Sequence, residues 1–190
     1  MNVLAVLLAL LALLAAAVLA CVLAATLRAL DRLRADIASL RSGSHEGVDV
    51  VGDALPVGDP APAFDATDAR GAPWSSATLD GTLRLVAFAR PGCPPCEGLV
   101  PALLHDVERG SLPPAVVVSR GTPGDQPAAW RAGRARARLV MEHGDRVSRA
   151  YRSAVAPLVF VLTPADRVGA RGIATTVDDV RALVDAAASG

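Results

Sequence analysis

Leu83-Arg84-Leu85-Val86-Ala87-Phe88-Ala89-Arg90-Pro91-Gly92-Cys93-Pro94-Pro95-Cys96 is the stretch on which the reading of this chain turns. Its first half is a compact run of β-type residues, the pattern of a buried strand. Its second half places two cysteines either side of two prolines. Beyond Cys96, apolar Leu99, Val100, Leu103, Leu104 and Val107 recur at helical spacing. The order is therefore strand, cysteine pair, helix. At a helix N-terminus the free N–H groups and the dipole favour a thiolate over a thiol. A thiol lowered from about 8.5 to about 7 passes from a few per cent thiolate to about half at neutral pH, worth about 2 kcal/mol. Cys93, nearer the helix start, is the expected nucleophile, and Cys96, one turn further in, the expected resolving thiol. Pro94 and Pro95 lack N–H groups, which costs nothing at the first helical positions, and they stiffen the turn.

Two other uses of such a pair exist. A zinc site needs two further ligands, and neither Cys21 nor the pair His105 and His143 offers ligand-like spacing, so no metal is expected. A structural disulfide closing so short a loop would add little stability.

Working outward, Ala115–Val118 reads as a second buried strand, Pro127–Ala137 as a helix rich in Ala and Arg, and Leu139–Met141 as a short strand. Leu158–Leu162 and Val168–Ile173, with a polar turn near Asp166, read as a β-hairpin. The closing helix has Thr176 as a candidate cap, Asp179 in its first turn, and Val177, Val180, Leu183 and Val184 on its apolar face. Strands alternating with helices, then a hairpin and a helix, indicate an α/β layer fold.

Towards the N-terminus the composition changes. Val3 to Leu27 contains no charged residue. A helix of that length reaches roughly 37 Å, enough to span a hydrocarbon core with some tilt. We read 1–27 as an uncleaved transmembrane anchor, because a signal peptide has a basic start and a shorter core. Cys21 after Val18-Leu19-Ala20 suggests a lipidation site, but the apolar run continues beyond it. Leu27, Leu30, Leu33, Ile37 and Leu40 continue a helical pattern, a stalk that could self-associate into a dimer. Arg41 to Gly47, with His45, reads as a linker, so 28–57 is stalk and linker and 58–190 is the folded domain. Arg28, Arg32, Arg34 and Arg41 follow the span, which by the positive-inside rule places the domain in the cytoplasm.

Nineteen basic residues, all arginine, balance nineteen acidic ones in the 190-residue chain. Zero net charge argues against nucleic-acid binding by phosphate neutralisation. Three cysteines are too few for a disulfide framework.

These residues resemble the TlpA-like family of membrane-anchored thiol–disulfide oxidoreductases with a thioredoxin-like fold, from about Val57 to the C-terminus. Gly58-Asp59-Pro60-Ala61-Pro62-Ala63-Phe64 looks like the family's lead-in segment, with Gly71 and Leu79-Asp80-Gly81 in its following turns. Cys93-Pro94-Pro95-Cys96 matches its redox motif, and Pro101 the proline that kinks the active-site helix. Ala156-Pro157 matches the cis-proline segment facing the cysteines. Cys96-Glu97-Gly98-Leu99-Val100-Pro101 and Val168–Ile173 look most like the methylamine-utilisation accessory (MauD-like) branch, thought to assist disulfide formation or maturation of a partner dehydrogenase.

The resemblance implies a central mixed sheet flanked by helices, an extracytoplasmic catalytic domain against the arginine count, and protein thiols or disulfides as substrates. It implies no cofactor beyond the redox-active disulfide, with Ala156 and Pro157 forming the edge on which an extended substrate docks. Gly92 replaces the tryptophan that often precedes the first cysteine, and Leu99 replaces a frequent glutamate. No lysine exists to supply the buried lysine of typical thioredoxins, which leaves Glu97 as a nearby carboxylate and Arg90 as a nearby cation, or both as solvated charges. Trp74, Trp130 and Tyr151 are read as packing residues.

Two other functions are considered. A peroxiredoxin-like peroxidase shares the lead-in segment, but Val86 and Ala89 stand where its proline would precede Cys93 or Cys96. The other is a non-catalytic assembly factor that uses the fold only to hold a partner.

Overall fold

The computed structural model describes residues 51–79, 81–131 and 135–189. The expected anchor, stalk and linker up to residue 50, with Cys21 and His45, lie outside the described residues. Among those described, no helix is long and apolar enough to cross a membrane.

The elements in chain order are β1 (Asp65–Asp68), β2 (Pro73–Ser75), β3 (Arg84–Phe88), α1 (Pro94–Glu108), β4 (Ala115–Ser119), β5 (Ala137–Met141), α2 (Arg146–Ala150), β6 (Leu158–Leu162), β7 (Val168–Ile173) and α3 (Val177–Ser189). The strands form one mixed sheet in the order β2-β1-β5-β4-β3-β6-β7. β3, β4 and β5 run parallel, and the flanking strands are antiparallel. Such an interior demands strands apolar on both faces, which is why Leu85–Phe88, Ala115–Val118 and Leu158–Leu162 are continuous apolar runs.

Alternation divides those runs between two cores. Leu85, Ala87, Val117, Leu139, Val159 and Val161 pack beneath α1 and α3. Val86, Phe88, Val116, Val118, Val140 and Phe160 face the other way, towards Trp74, Val147 and Tyr151. On α1, Leu99, Val100, Leu103, Leu104 and Val107 are all buried, the face that their spacing predicts. Each such side chain contributes roughly 1.5–3 kcal/mol by leaving water. Trp74, Trp130 and Tyr151 are core residues.

The terminal helix begins as its sequence suggests. Thr176 Oγ1 accepts from the Asp179 N–H at 3.2 Å, and Asp179 Oδ2 accepts from the Thr175 and Thr176 N–H groups, each at 2.9 Å. These bonds satisfy N–H groups that the helix itself leaves open.

Ahead of Gly58, Ala54 and Leu55 are already buried, in the core that contains Tyr151. Three contacts tie the stretch from Leu55 to Pro62 to Tyr151, just after α2, and to Val168 of β7. The Leu55 N–H donates to the Tyr151 carbonyl at 3.1 Å, the Tyr151 hydroxyl to the Pro62 carbonyl at 3.2 Å, and the Gly58 N–H to the Val168 carbonyl at 2.8 Å.

One expected element does not form. The helix predicted over Pro127–Ala137 is replaced by a turn at 128–130 and, from Ala137, by β5; residues 132–134 lie outside the described set. Ala and Arg favour helix, but Ala137 pairs with Ala115 in the parallel ladder. Glu108, at the end of α1, accepts the Arg136 and Ala137 N–H groups at 2.8 and 3.0 Å. Those distant partners outweigh a propensity of tenths of a kcal/mol per residue. The β1–β2 hairpin and the five-residue α2 were not anticipated.

Candidate redox site

β3 delivers the chain to the site. It ends at Phe88, and Cys93 follows a turn closed by its N–H on the Arg90 carbonyl at 3.3 Å. Gly92 has a φ of +74°, and nothing lies within 4 Å of where its Cβ would be. The backbone conformation, not space, therefore selects glycine where the resembled family often has tryptophan.

Cys93 is the N-cap of α1, with Pro94 and Pro95 at the first helical positions. The two cysteines form a disulfide with their Cα atoms 5.2 Å apart. Cys93 Sγ accepts the Cys96 N–H at 3.3 Å, so the sulfur occupies the place that a serine or aspartate oxygen takes in an ordinary cap. The pair is asymmetric in exposure. Cys93 is half-buried and Cys96 has no exposed surface. Of the two sulfurs, only that of Cys93 is within reach of another protein.

The second wall comes from the other end of the chain. The Ala156–Pro157 peptide is cis, Pro157 is buried, and Cys93 Sγ lies 3.7 Å from the Ala156 carbonyl oxygen. In the disulfide form this sulfur carries no proton, so the contact is proximity and not a hydrogen bond. The tertiary structure thus brings together Cys93, Cys96, Pro94, Pro95, Ala156 and Pro157, all six of the site residues expected from sequence.

Arg90 has a role that neither sequence reading named: its guanidinium donates to the Ala154 carbonyl at 3.2 Å, tying the cysteine turn to the loop before Pro157. Glu97 is exposed, and Leu99 is buried beneath the helix. His143 Nε2 is paired with Thr67 Oγ1 at 3.2 Å, and His105 is exposed on α1.

Sequence reasoning missed the neighbouring cleft, lined in part by Ala89, Arg90, Arg120, Glu142, Ser153 and Val155. Glu142 is 6% exposed. Its carboxylate accepts from the Ser148 N–H at 2.7 Å and from the Ser148 hydroxyl, and it faces Arg120 Nε at 3.5 Å. No spacing in the sequence marks Glu142 as different from any other acid after a strand.

A half-buried sulfur at a helix N-terminus, a buried partner sulfur and a cis-proline loop across from them make up the site, and the fold that carries it recurs in known structures. The chain superposes on the thioredoxin domain of a thiol-disulfide oxidoreductase from Bacteroides vulgatus with a TM-score of 0.56 at 22% identity, covering 68% of this chain and 99% of that one. A secreted Mycobacterium tuberculosis disulfide oxidoreductase homologous to E. coli DsbE gives 0.55 at 18% identity, covering 65% of this chain and 95% of that one.

The fold is thioredoxin-like.

A thiol:disulfide interchange protein of the thioredoxin family from Chlorobium tepidum matches this thioredoxin-like domain at a TM-score of 0.54 and 23% identity, over 72% of this chain and 99% of that one. In sequence, the chain is 29% identical over 136 residues to the methylamine utilization protein MauD of Methylorubrum extorquens. That alignment covers 70% of this chain and 65% of the relative's length, so the chain spans just under two thirds of it. No family model matches the chain. These likenesses agree with the resemblance drawn from the cysteine motif and the cis-proline: a MauD-like chain carrying a thioredoxin-like fold with a cysteine pair.

Proposed function

We propose that the chain is a membrane-anchored thiol–disulfide oxidoreductase that exchanges disulfides with partner proteins outside the cytoplasmic membrane. The observation that carries this reading is the Cys93–Cys96 disulfide at the N-terminus of α1, with the accessible sulfur against the Ala156 carbonyl. In the reducing direction the Cys93 thiolate attacks a substrate disulfide and releases one substrate thiolate, leaving a mixed disulfide. The Cys96 thiolate then attacks Cys93 Sγ and releases the second substrate thiolate. The substrate gains the two electrons that the protein dithiol loses. The same steps reversed oxidise a substrate dithiol. The loop before Pro157 offers its backbone to an extended substrate segment.

The apolar run Val3–Leu27 supports the anchor, and the likeness to a secreted oxidoreductase supports an extracytoplasmic domain. The resemblance to the methylamine-utilisation accessory branch, in line with the 29% identity to a methylamine utilization protein, supports a partner whose disulfide formation or maturation the chain assists.

The deciding experiment is trapping with Cys96→Ala. Cys93 should then accumulate in mixed disulfides with specific proteins, which name the partner and its compartment. Recovery of no specific adduct counts against the reading. A C-terminal reporter active only in the cytoplasm overturns the topology alone.

A further inference from the structure

Charge is unevenly distributed beside the redox pair. The segment from the end of β5 to Pro157 contains two carboxylates, Glu142 and Asp145. Both converge on one arginine: Arg120 Nε lies 3.5 Å from Glu142 Oε1 and 2.8 Å from Asp145 Oδ1. Among the described residues, Arg90, Arg146, Arg149 and Arg152 have no carboxylate partner. Two of the four bond only backbone carbonyls, Arg90 that of Ala154 at 3.2 Å and Arg149 that of Gly144 at 2.6 Å.

Three of these cations share one exposed face. α2 and the residue after it bury Val147, Ser148 and Tyr151, which turns Arg146, Arg149 and Arg152, three residues apart, out to solvent. The Glu142–Ser148 bonds hold α2 against the end of β5. Glu142 and Ser148 line the same cleft as Arg90 and Val155, and Val155 immediately precedes the Ala156 carbonyl that faces Cys93. Arg90 bonds the Ala154 carbonyl, and Arg152 stands four residues before Ala156, so these two flank the loop on which a substrate would lie, with Arg149 and Arg146 continuing the rim along the exposed face of α2 beyond them. The whole chain is neutral, so this excess is local. Glu97, exposed on the first turn of α1, is bonded to none of these arginines.

We propose that this rim selects protein substrates carrying acidic residues next to the reactive cysteine. The inference rests on the exchange reading above and adds the substrate's charge to it. Unpaired charges beside a low-dielectric cleft concentrate the opposite sign and speed encounter by about tenfold or more. Arginine adds planar, two-point recognition of carboxylates. The continuity of the arginines with the Ala154–Pro157 loop favours a protein substrate over a lipid surface.

The test uses the full chain in its dithiol form and three cysteine peptides, identical but for flanking Asp, Ser or Lys. Each peptide is joined by a disulfide to 5-thio-2-nitrobenzoate. Attack of the Cys93 thiolate on the peptide sulfur releases the coloured thiolate, and attack by Cys96 then releases the peptide thiol and closes the protein disulfide. The Asp peptide should react about tenfold faster than the Lys peptide at low ionic strength. That ratio should shrink as salt screens the rim, and fall towards one in the combined variant Arg146→Gln, Arg149→Gln, Arg152→Gln. Equal rates for the Asp and Lys peptides overturn the proposal, as does a ratio that the combined variant leaves unchanged. The salt series on the unaltered chain decides the matter even if that variant folds poorly. Equal peptide rates together with arginine-dependent sedimentation on phosphatidylglycerol vesicles assign the rim to a lipid surface and also overturn it. If no peptide releases the chromophore, the exchange reading itself fails, a result distinct from equal but measurable rates.

Discussion

The chain has one tyrosine and no lysine, and this composition makes its alkaline unfolding a measurement on a single side chain. Tyr151 is 1% exposed, surrounded by Phe64, Phe88 and Phe160 at ring-centre distances of 6.0, 5.4 and 5.2 Å. Burial among these rings pushes its phenol above the ordinary value, against a smaller opposing pull from the Arg84 charge. In the unfolded chain the phenol ionises near pH 10. Above that pH the unfolded state has lost a proton that the folded state keeps, so stability falls as pH rises. The slope approaches about 1.4 kcal/mol per pH unit and continues until the folded protein itself ionises.

The assay is urea unfolding at a series of alkaline pH values, followed by circular dichroism and by tyrosinate absorbance. Tyrosinate should form together with loss of structure and not before it. Tyr151→Phe keeps the ring packing but loses the hydrogen bond to the Pro62 carbonyl, at a cost of about 1 kcal/mol at neutral pH. That variant should lose the alkaline slope. A tyrosinate step near pH 10 with native structure intact would refute the reasoning.

Other substitutions probe other parts of the fold. Asp179→Ala should cost about 1 kcal/mol in urea unfolding by removing the oxygen that the Thr175 and Thr176 N–H groups share. Burial pushes the Asp179 carboxyl up, and the hydrogen bonds from Thr175 and Thr176 outweigh this and hold it below the ordinary carboxylate range. Its contribution should therefore be complete above the unfolded-state value and disappear as pH falls through the folded one, measurable as a shrinking gap between wild type and variant in acid. Gly92→Ala should cost about 1 kcal/mol through its φ of +74° alone, since no neighbour obstructs the added methyl; a neutral result in thermal unfolding contradicts this. Leu103→Ala empties a fully buried position under α1 and should cost about 2–5 kcal/mol in chemical denaturation.

Local signals were legible wherever the deciding contacts lie close in sequence. The strand into Cys93, the helix out of Cys96, the β6–β7 hairpin and the cap at Thr176 each depend on residues within a few positions of one another. Ala156–Pro157 was legible only through its resemblance to a known pattern, because nothing in a strand-start proline itself indicates what it faces. Pro127–Ala137 misled because its composition favours helix while its backbone partners lie far away, in β4 and at Glu108. The strands Asp65–Asp68 and Pro73–Ser75 are too short for alternation to show, and the second begins with a proline.

The sequence by itself determined the cysteine pair and its place at the start of a helix. A thiol at the start of a helix with a second thiol one turn on is a property of neighbouring residues and needs no distant partner. It also determined the balance of charge and the absence of lysine. Only the tertiary structure decided which sulfur is accessible, that the Ala156 carbonyl lies against it, and that Arg90 bonds the loop carrying Ala154. The same holds for the arginines. Their number was visible from the start, but which of them are neutralised depends on where Glu142 and Asp145 lie in the fold, and both lie against Arg120.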